Sequence, residues 1–139
     1  MSKKTIIQFE TDDFYFLTLD LVLYNMGLEK VIRAADKDEA RKLFDKIKSK
    51  KIVPDVAIVD TYIGNNNDDG EKIAKMLKEE LSDIIIVGYS IMETSSWADF
   101  EVIKSGKEQD KSLITVLEQI LETKFNYSEM KDPEYISRI

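Results

Sequence analysis

Hydrophobic and polar residues fall in blocks along this chain, and the block lengths separate strands from helices. Thr5 to Phe9 is a short β-branched and aromatic run, preceded by lysines and stopped by the acids Glu10, Asp12 and Asp13, which reads as a buried strand. Asp13 to Met26 follows as a helix closed by Gly27, with Phe14, Leu17, Leu21 and Tyr24 on one face and Phe16, Leu19, Leu23 and Met26 on a second. Val31 to Ala34 is a short strand. Asp36 and Glu39 form a capping box for a helix to about Lys48, with Ala40, Leu43, Phe44 and Ile47 inward. Val56 to Val59 is a continuous apolar strand ending at Asp60, and the Gly- and Asn-rich stretch from Tyr62 to Asp69 is a loop. A helix from about Gly70 to Leu81 turns Ile73, Met76, Leu77 and Leu81 inward. Ile84 to Val87 and Phe100 to Ile103 are the fourth and fifth strands. Asp110 begins a last helix with Leu113, Val116, Leu117, Ile120 and Leu121 facing the sheet.

Strands that are continuously apolar and alternate with helices predict a parallel sheet covered on both faces. The expected fold is α/β: a three-layer α/β/α sandwich with a five-stranded parallel sheet in the order 2-1-3-4-5, because right-handed crossovers leave few other topologies. One crossover is too short. From the end of the fourth strand near Ser90 to Phe100 there are nine residues, 91 to 99, whereas a parallel crossover with its helix needs about 10 to 12. The helix of that crossover is therefore shortened.

Composition narrows the chemistry. A chain of 139 residues with 43% hydrophobic and 34% charged residues fits one domain with a proper core. A net charge of -7 repels nucleic acid phosphates, so no nucleic acid partner is expected. The absence of cysteine excludes disulfides and thiolate zinc sites. The absence of histidine excludes serine-histidine hydrolysis and imidazole-ligated metals. Any metal must then sit on oxygens. No stretch has the length of a signal peptide or a membrane span, and a cytoplasmic protein with no membrane partner is expected.

In parallel sheets ligands collect outside the carboxyl ends of the strands. There this sequence places Glu10 to Asp13 after strand one, Asp60 after strand three, Gly88 to Ser90 after strand four and Lys104 after strand five. A carboxylate ionised at neutral pH can attack a phosphoryl group when a divalent cation and a lysine neutralise the phosphoryl oxygens. The set describes a magnesium-assisted aspartyl phosphorylation site.

Over roughly residues 4 to 122 the sequence resembles the receiver domain of two-component response regulators. PDVAIVD, residues 54 to 60, is similar to the family's third-strand motif; Asp69-Gly70 resembles its DG before the third helix; ADFEVIK, residues 98 to 104, is similar to the segment ending in its lysine. The resemblance implies a phosphoacceptor at Asp60 and a phosphate-neutralising lysine at Lys104. It places the strand-four hydroxyl role at Gly88 or Ser90, and Mg2+ on Glu10, Asp12, Asp60 and the backbone carbonyl of Tyr62. It further implies a flavodoxin-like fold, phosphoryl transfer from a histidine kinase or histidine phosphotransfer protein, and a downstream protein target. No enzymatic turnover is implied beyond self-catalysed transfer onto Asp60 and slow dephosphorylation.

The departures from the family pattern matter as much. Thr11 stands where a second acid is usual, Gly88 where a Thr or Ser is usual, Ser105 where a proline follows the lysine, and Glu101 in the aromatic switch position. Magnesium is accordingly expected to bind weakly, if at all. Residues 1–123 form the receiver-like domain and 124–139 a tail with aromatic residues and no output domain, so a stand-alone receiver is expected. The alternative is a pseudo-receiver, a phosphorylation-independent protein-binding module. A flavodoxin-like cofactor domain ranks third, because the chain has no Gly-rich phosphate loop.

Overall fold

The computed structural model describes residues 4–28, 31–91, 94, 96–104 and 109–125. Its strands are β1 (Ile6–Phe9), β2 (Ile32–Ala34), β3 (Val56–Val59), β4 (Ile85–Ser90) and β5 (Phe100–Ile103), and its helices α1 (Asp13–Asn25), α2 (Lys37–Lys48), α3 (Asp69–Glu80) and α4 (Gln109–Leu121). The strands form one sheet in the order β2-β1-β3-β4-β5, parallel at every pairing.

Local chemistry sets the helix ends. Asp12 caps α1 by accepting from the Phe14 amide. In the expected capping box, Asp36 accepts from the Glu39 amide at 2.8 Å while the Glu39 carboxylate accepts from the Ala35 amide at 2.8 Å, one residue upstream of the cap. After α1, Gly27 takes φ +87°, which a residue with a Cβ adopts only under strain, and the Gly27 and Leu28 amides close back on Tyr24 and Leu23.

Side-chain alternation divides the sheet into two dry faces. Ile6, Ile58, Val87, Tyr89 and Val102 pack with α1 and α4. Ile7, Phe9, Ala57, Val59 and Ile86 pack with α2 and α3. Each fully buried large aliphatic or aromatic side chain contributes roughly 1.5–3 kcal/mol of transfer free energy, which is why both faces hold the sheet in register. Met76, expected inward, is 43% exposed, and Ile73, Ala74 and Leu77 form the buried stripe of α3 in its place. On α1 the face of Leu19, Leu23 and Met26 meets the sheet, while Phe14, Leu17 and Tyr24 are exposed at 41%, 42% and 70%.

The fourth strand is longer than the sequence pattern indicates, because Gly88, Tyr89 and Ser90 continue the ladder against Glu101, Val102 and Ile103. Between β4 and β5 the described residues form a turn at Ser96–Trp97 and no helix, so the crossover helix is not merely short among them. The turn is held by Thr94, whose carbonyl accepts from the Trp97 and Ala98 amides. Trp97 lies partly buried against the α2/α3 face, as a lid over this connection. No described helix is long and apolar enough to cross a membrane. Lys124 is exposed, Phe125 is buried against the α1/α4 face, and residues 126–139 of the tail lie outside the described residues.

Candidate functional site

Strand parity assembles the site. Ile58 and Val102 point to the α1/α4 face, so Asp60 and Lys104, each two residues further on, point the same way, and Glu10 does so four residues after Ile6. The Asp60 amide donates to the Phe9 carbonyl at 3.1 Å, the Lys104 amide to the Ser90 carbonyl at 2.8 Å, and the Glu10 amide to the Ala34 carbonyl at 3.1 Å. The three side chains meet just beyond the carboxyl edge. Lys104 Nζ lies 2.7 Å from Glu10 Oε1 and 3.0 Å from Asp60 Oδ2, and all three residues are buried.

One ammonium thus serves two carboxylates, and among the described residues two aromatic rings also lie against it. Its nitrogen is 4.1 Å from the centroid of the Tyr15 ring and 5.2 Å from that of Tyr89, and the two rings meet edge to face at 5.6 Å. Burial pushes the Glu10 carboxyl up to about 7; the Lys104 ammonium opposes this and the Asp60 charge adds to it. Two ionised carboxylates around one buried ammonium leave a net negative charge in a poorly solvated site, and a proton on Glu10 removes it.

The β1–α1 loop that carries Glu10 is fixed by Arg33 on β2. Its Nε donates to the Glu10 carbonyl at 2.9 Å, its Nη1 pairs with Asp13 at 2.8 Å, and its guanidinium stacks over Phe16 at 4.7 Å. The β3–α3 loop is fixed by Asp69, which accepts from the Gly64 amide at 2.8 Å and the Asn66 amide at 3.3 Å and lies 3.5 Å from Lys37 Nζ. Burial alone would raise the Asp69 carboxyl, but these amides and Lys37 hold it below its ordinary value. A Cβ on Gly70 would overlap the Asp60 carbonyl oxygen, so the Asp69-Gly70 pair brings α3 directly against the backbone of Asp60.

The other predicted site residues are placed differently. Gly88 points to the α2/α3 face with Ile86, and Thr94 fills the space where its side chain would be: a Cβ there would overlap Thr94 Oγ1. Thr94 is fully buried, its amide donates to the Glu101 carboxylate, and its Oγ1 is 3.3 Å from the same oxygen. Ser90 Oγ donates to Thr61 Oγ1 at 2.7 Å, next to Asp60 in sequence. Asp12 is exposed; its carboxylate caps α1 and its amide donates to Glu10 Oε2 at 3.2 Å. Thr11 is exposed and Tyr62 half-buried.

Magnesium prefers near-octahedral oxygen coordination, and the donor set fits it poorly. No three acidic side chains converge among the described residues, and Glu10 and Asp60 each direct an oxygen to Lys104. Sequence reasoning misses Tyr89, Arg33, Thr61 and Thr94 and reads Tyr15 with Leu19, Val22 and Leu23 as excess apolar surface on the first helix, whereas Leu19, Val22 and Leu23 are buried; these roles exist only once distant elements meet. Tyr89 and Tyr15 had a signal in retrospect, since strand parity puts Tyr89 beside Lys104.

Comparison with known proteins supports the architecture. No family model matches the chain, and no curated protein matches it. Among solved structures, the CheY-like response regulator receiver domain protein of Methanospirillum hungatei JF-1 is 16% identical with a TM-score of 0.69, covering 87% of this chain and 95% of that one. The phosphorylated cyanobacterial phytochrome response regulator RcpA is also 16% identical, with a TM-score of 0.71 over 86% of this chain and 95% of that one. The N-terminal domain of a response regulator/sensory box/GGDEF 3-domain protein from Carboxydothermus hydrogenoformans reaches 24% identity and a TM-score of 0.66 over 86% and 94%. The chain has the flavodoxin-like fold of receiver domains.

Proposed function

We propose that this receiver-fold chain is a signalling domain that accepts a phosphoryl group on Asp60 from a histidine kinase or histidine phosphotransfer protein and passes the signal on by protein contact. The observation that carries the reading is the buried Asp60–Lys104 pair, 3.0 Å apart at the carboxyl edge of a parallel sheet. An Asp60 carboxylate oxygen attacks the phosphorus of a partner's phosphohistidine, the N–P bond breaks with its electron pair going to the ring nitrogen, and the imidazole departs neutral, keeping the proton already on its other nitrogen. Lys104 is positioned to neutralise the phosphoryl oxygens, and the transferred group makes little other demand on the protein. The donor must come from another chain, because this one has no histidine. Phe14 and Leu17, on the exposed side of the first turns of α1, supply apolar surface beside the site for that donor. The Ser90 and Thr61 hydroxyls are the nearest candidates for the strand-four role, in place of Gly88.

Magnesium enters this reading as a weak ligand of Glu10, Asp60 and the Tyr62 carbonyl, with Asp12 occupied as a helix cap. A second reading, a phosphorylation-independent pseudo-receiver, is favoured by one specific observation: Glu10 Oε1 is 2.7 Å from Lys104 Nζ, so the lysine that would meet the phosphoryl oxygens is shared with a second buried carboxylate. Incubation with acetyl phosphate and magnesium, read by intact mass, separates the two. A gain of one phosphate that disappears in Asp60→Asn supports phosphorylation, and an unchanged mass with correct folding supports the pseudo-receiver.

A further inference from the structure

Building on the reading of Asp60 as phosphoacceptor, we propose that Tyr15 is the gate of the site: its ring holds the Lys104 ammonium on the two carboxylates and has to move before a phosphoryl group reaches Asp60. The side chains of Glu10, Lys104 and Asp60 are only 1%, 3% and 11% exposed. A phosphoryl group carries several oxygens that need room around the lysine, and a lysine side chain 3% exposed offers little. Among the described residues, four groups surround Lys104 Nζ: the carboxylates of Glu10 and Asp60, and the rings of Tyr15 and Tyr89. Three of them are fixed. Glu10 is held by Arg33 and the Asp12 amide, Asp60 follows β3 directly, and Tyr89 is fully buried on β4 between β3 and β5.

Tyr15 differs from the others. It is half-buried, sits in the first turn of α1, and rests on Tyr89 and on Phe14, which is 41% exposed and 5.2 Å away ring to ring. Its ring is also the nearer of the two to the ammonium. Tyr15 is thus a positioning residue, acting through Lys104. The ring face does this work and the hydroxyl does not, since the attraction is between a cation and a π system.

The test uses the full chain with Tyr15→Ala and Tyr15→Phe and reads two quantities. The first is acylation of the Lys104 amine by a water-soluble acetylating ester, resolved by peptide mass spectrometry and normalised to Lys72, whose side chain is 65% exposed. The second is the mass gain with acetyl phosphate and magnesium. Tyr15→Ala is expected to label Lys104 about tenfold faster, the loss of one partly desolvated cation–π contact, while Tyr15→Phe labels at the wild-type rate. A parallel rise in phosphorylation supports the gate on its phosphoacceptor. Faster labelling with no phosphate in any variant supports the gate and overturns the phosphoacceptor reading. An unchanged Lys104 rate in Tyr15→Ala, or Tyr15→Phe behaving as Tyr15→Ala, overturns the gate. Loosening of the whole fold would also speed Lys104 against the already exposed Lys72, so the urea midpoint of each variant is read beside the labelling; where Tyr15→Ala lowers it, Tyr15→Leu, which keeps apolar volume on α1 without a ring face, carries the same expectation and the same refutation.

Discussion

Replacing Glu10 by glutamine should make the protein more stable at pH 8 and nearly neutral at pH 5. Glu10 titrates at about 7 in the folded protein against 4.5 for an ordinary glutamate, chiefly because burial removes water from its charged form. The folded state therefore binds this proton more tightly than the unfolded chain does. The resulting contribution is fully present below about pH 4.5 and is lost as the pH rises through about 7. The full difference corresponds to about 3 kcal/mol at 1.36 kcal/mol per pH unit. At pH 5 under a third of it has been lost, and at pH 8 almost all. Glutamine imitates the protonated acid in shape and charge and does not titrate, so urea denaturation should find Glu10→Gln within about 1 kcal/mol of wild type at pH 5 and more stable by about 3 kcal/mol at pH 8. The window is clean with respect to Asp69 and Asp99, whose carboxyls are held below 3.8 and so are ionised throughout it. A wild type more stable than Glu10→Gln at pH 8 would mean that the Lys104 attraction outweighs desolvation, and the reasoning fails. A gap that does not change with pH refutes it equally.

Two further outcomes test the surroundings of the site. Gly88→Ala should cost about 1–3 kcal/mol by overpacking against Thr94, and Thr94→Gly should recover much of that loss, a coupling that a double-mutant cycle by chemical denaturation measures; additive losses would show that Thr94 does not occupy the space. Thr11→Asp should tighten magnesium binding in a calorimetric titration by adding an oxygen donor beside Glu10, and an unchanged affinity would remove Thr11 from the second-acid position.

The backbone plan was legible because strand burial and helix periodicity leave long traces in sequence. Asp36 and Glu39 announced α2, Gly27 announced the end of α1, and the continuous apolar runs Val56–Val59 and Ile84–Val87 announced a sheet covered on both faces. Those same continuous runs concealed which residue faces which helix, since a strand buried on both sides loses the alternation that marks its faces. Tyr89 looked like the tail of a strand and is in the structure a wall of the site. The length of β4 was also hidden: Gly88 weakens a strand signal by composition, and only its pairing with Glu101 extends the ladder. Asp60 and Lys104 could be placed at the carboxyl edge from order alone. That Glu10 turns to Lys104, and Asp12 to the α1 amides, depends on a loop conformation set by Arg33 from another strand, which no local pattern encodes.

The sheet separates two charged clasps that might otherwise be read as one mechanism. Glu10, Asp60 and Lys104 lie under α1 on one face, whereas Glu101 grips the Thr94 amide and hydroxyl on the other, where Thr94 covers Gly88. Asp99 adds to the second clasp: it accepts from the Ile86 amide at 2.8 Å and pairs with Lys78 of α3 at 2.9 Å. The β4–β5 connection is thereby tied to α3 and to its own strands by contacts that do not include Asp60 or Lys104. A ligand moves only those states that it binds unequally, and a charge added at Asp60 meets Lys104 first, then the Tyr15 ring against it, and through that ring the first turn of α1. Glu101, in the position of an aromatic switch, has a carboxylate already committed to Thr94 and no ring to reorient. On the proposed reading of Asp60, the contacts leading from the site to the surface are those of Tyr15 and the exposed Phe14, whereas the described β4–β5 contacts brace the strands beside Lys104.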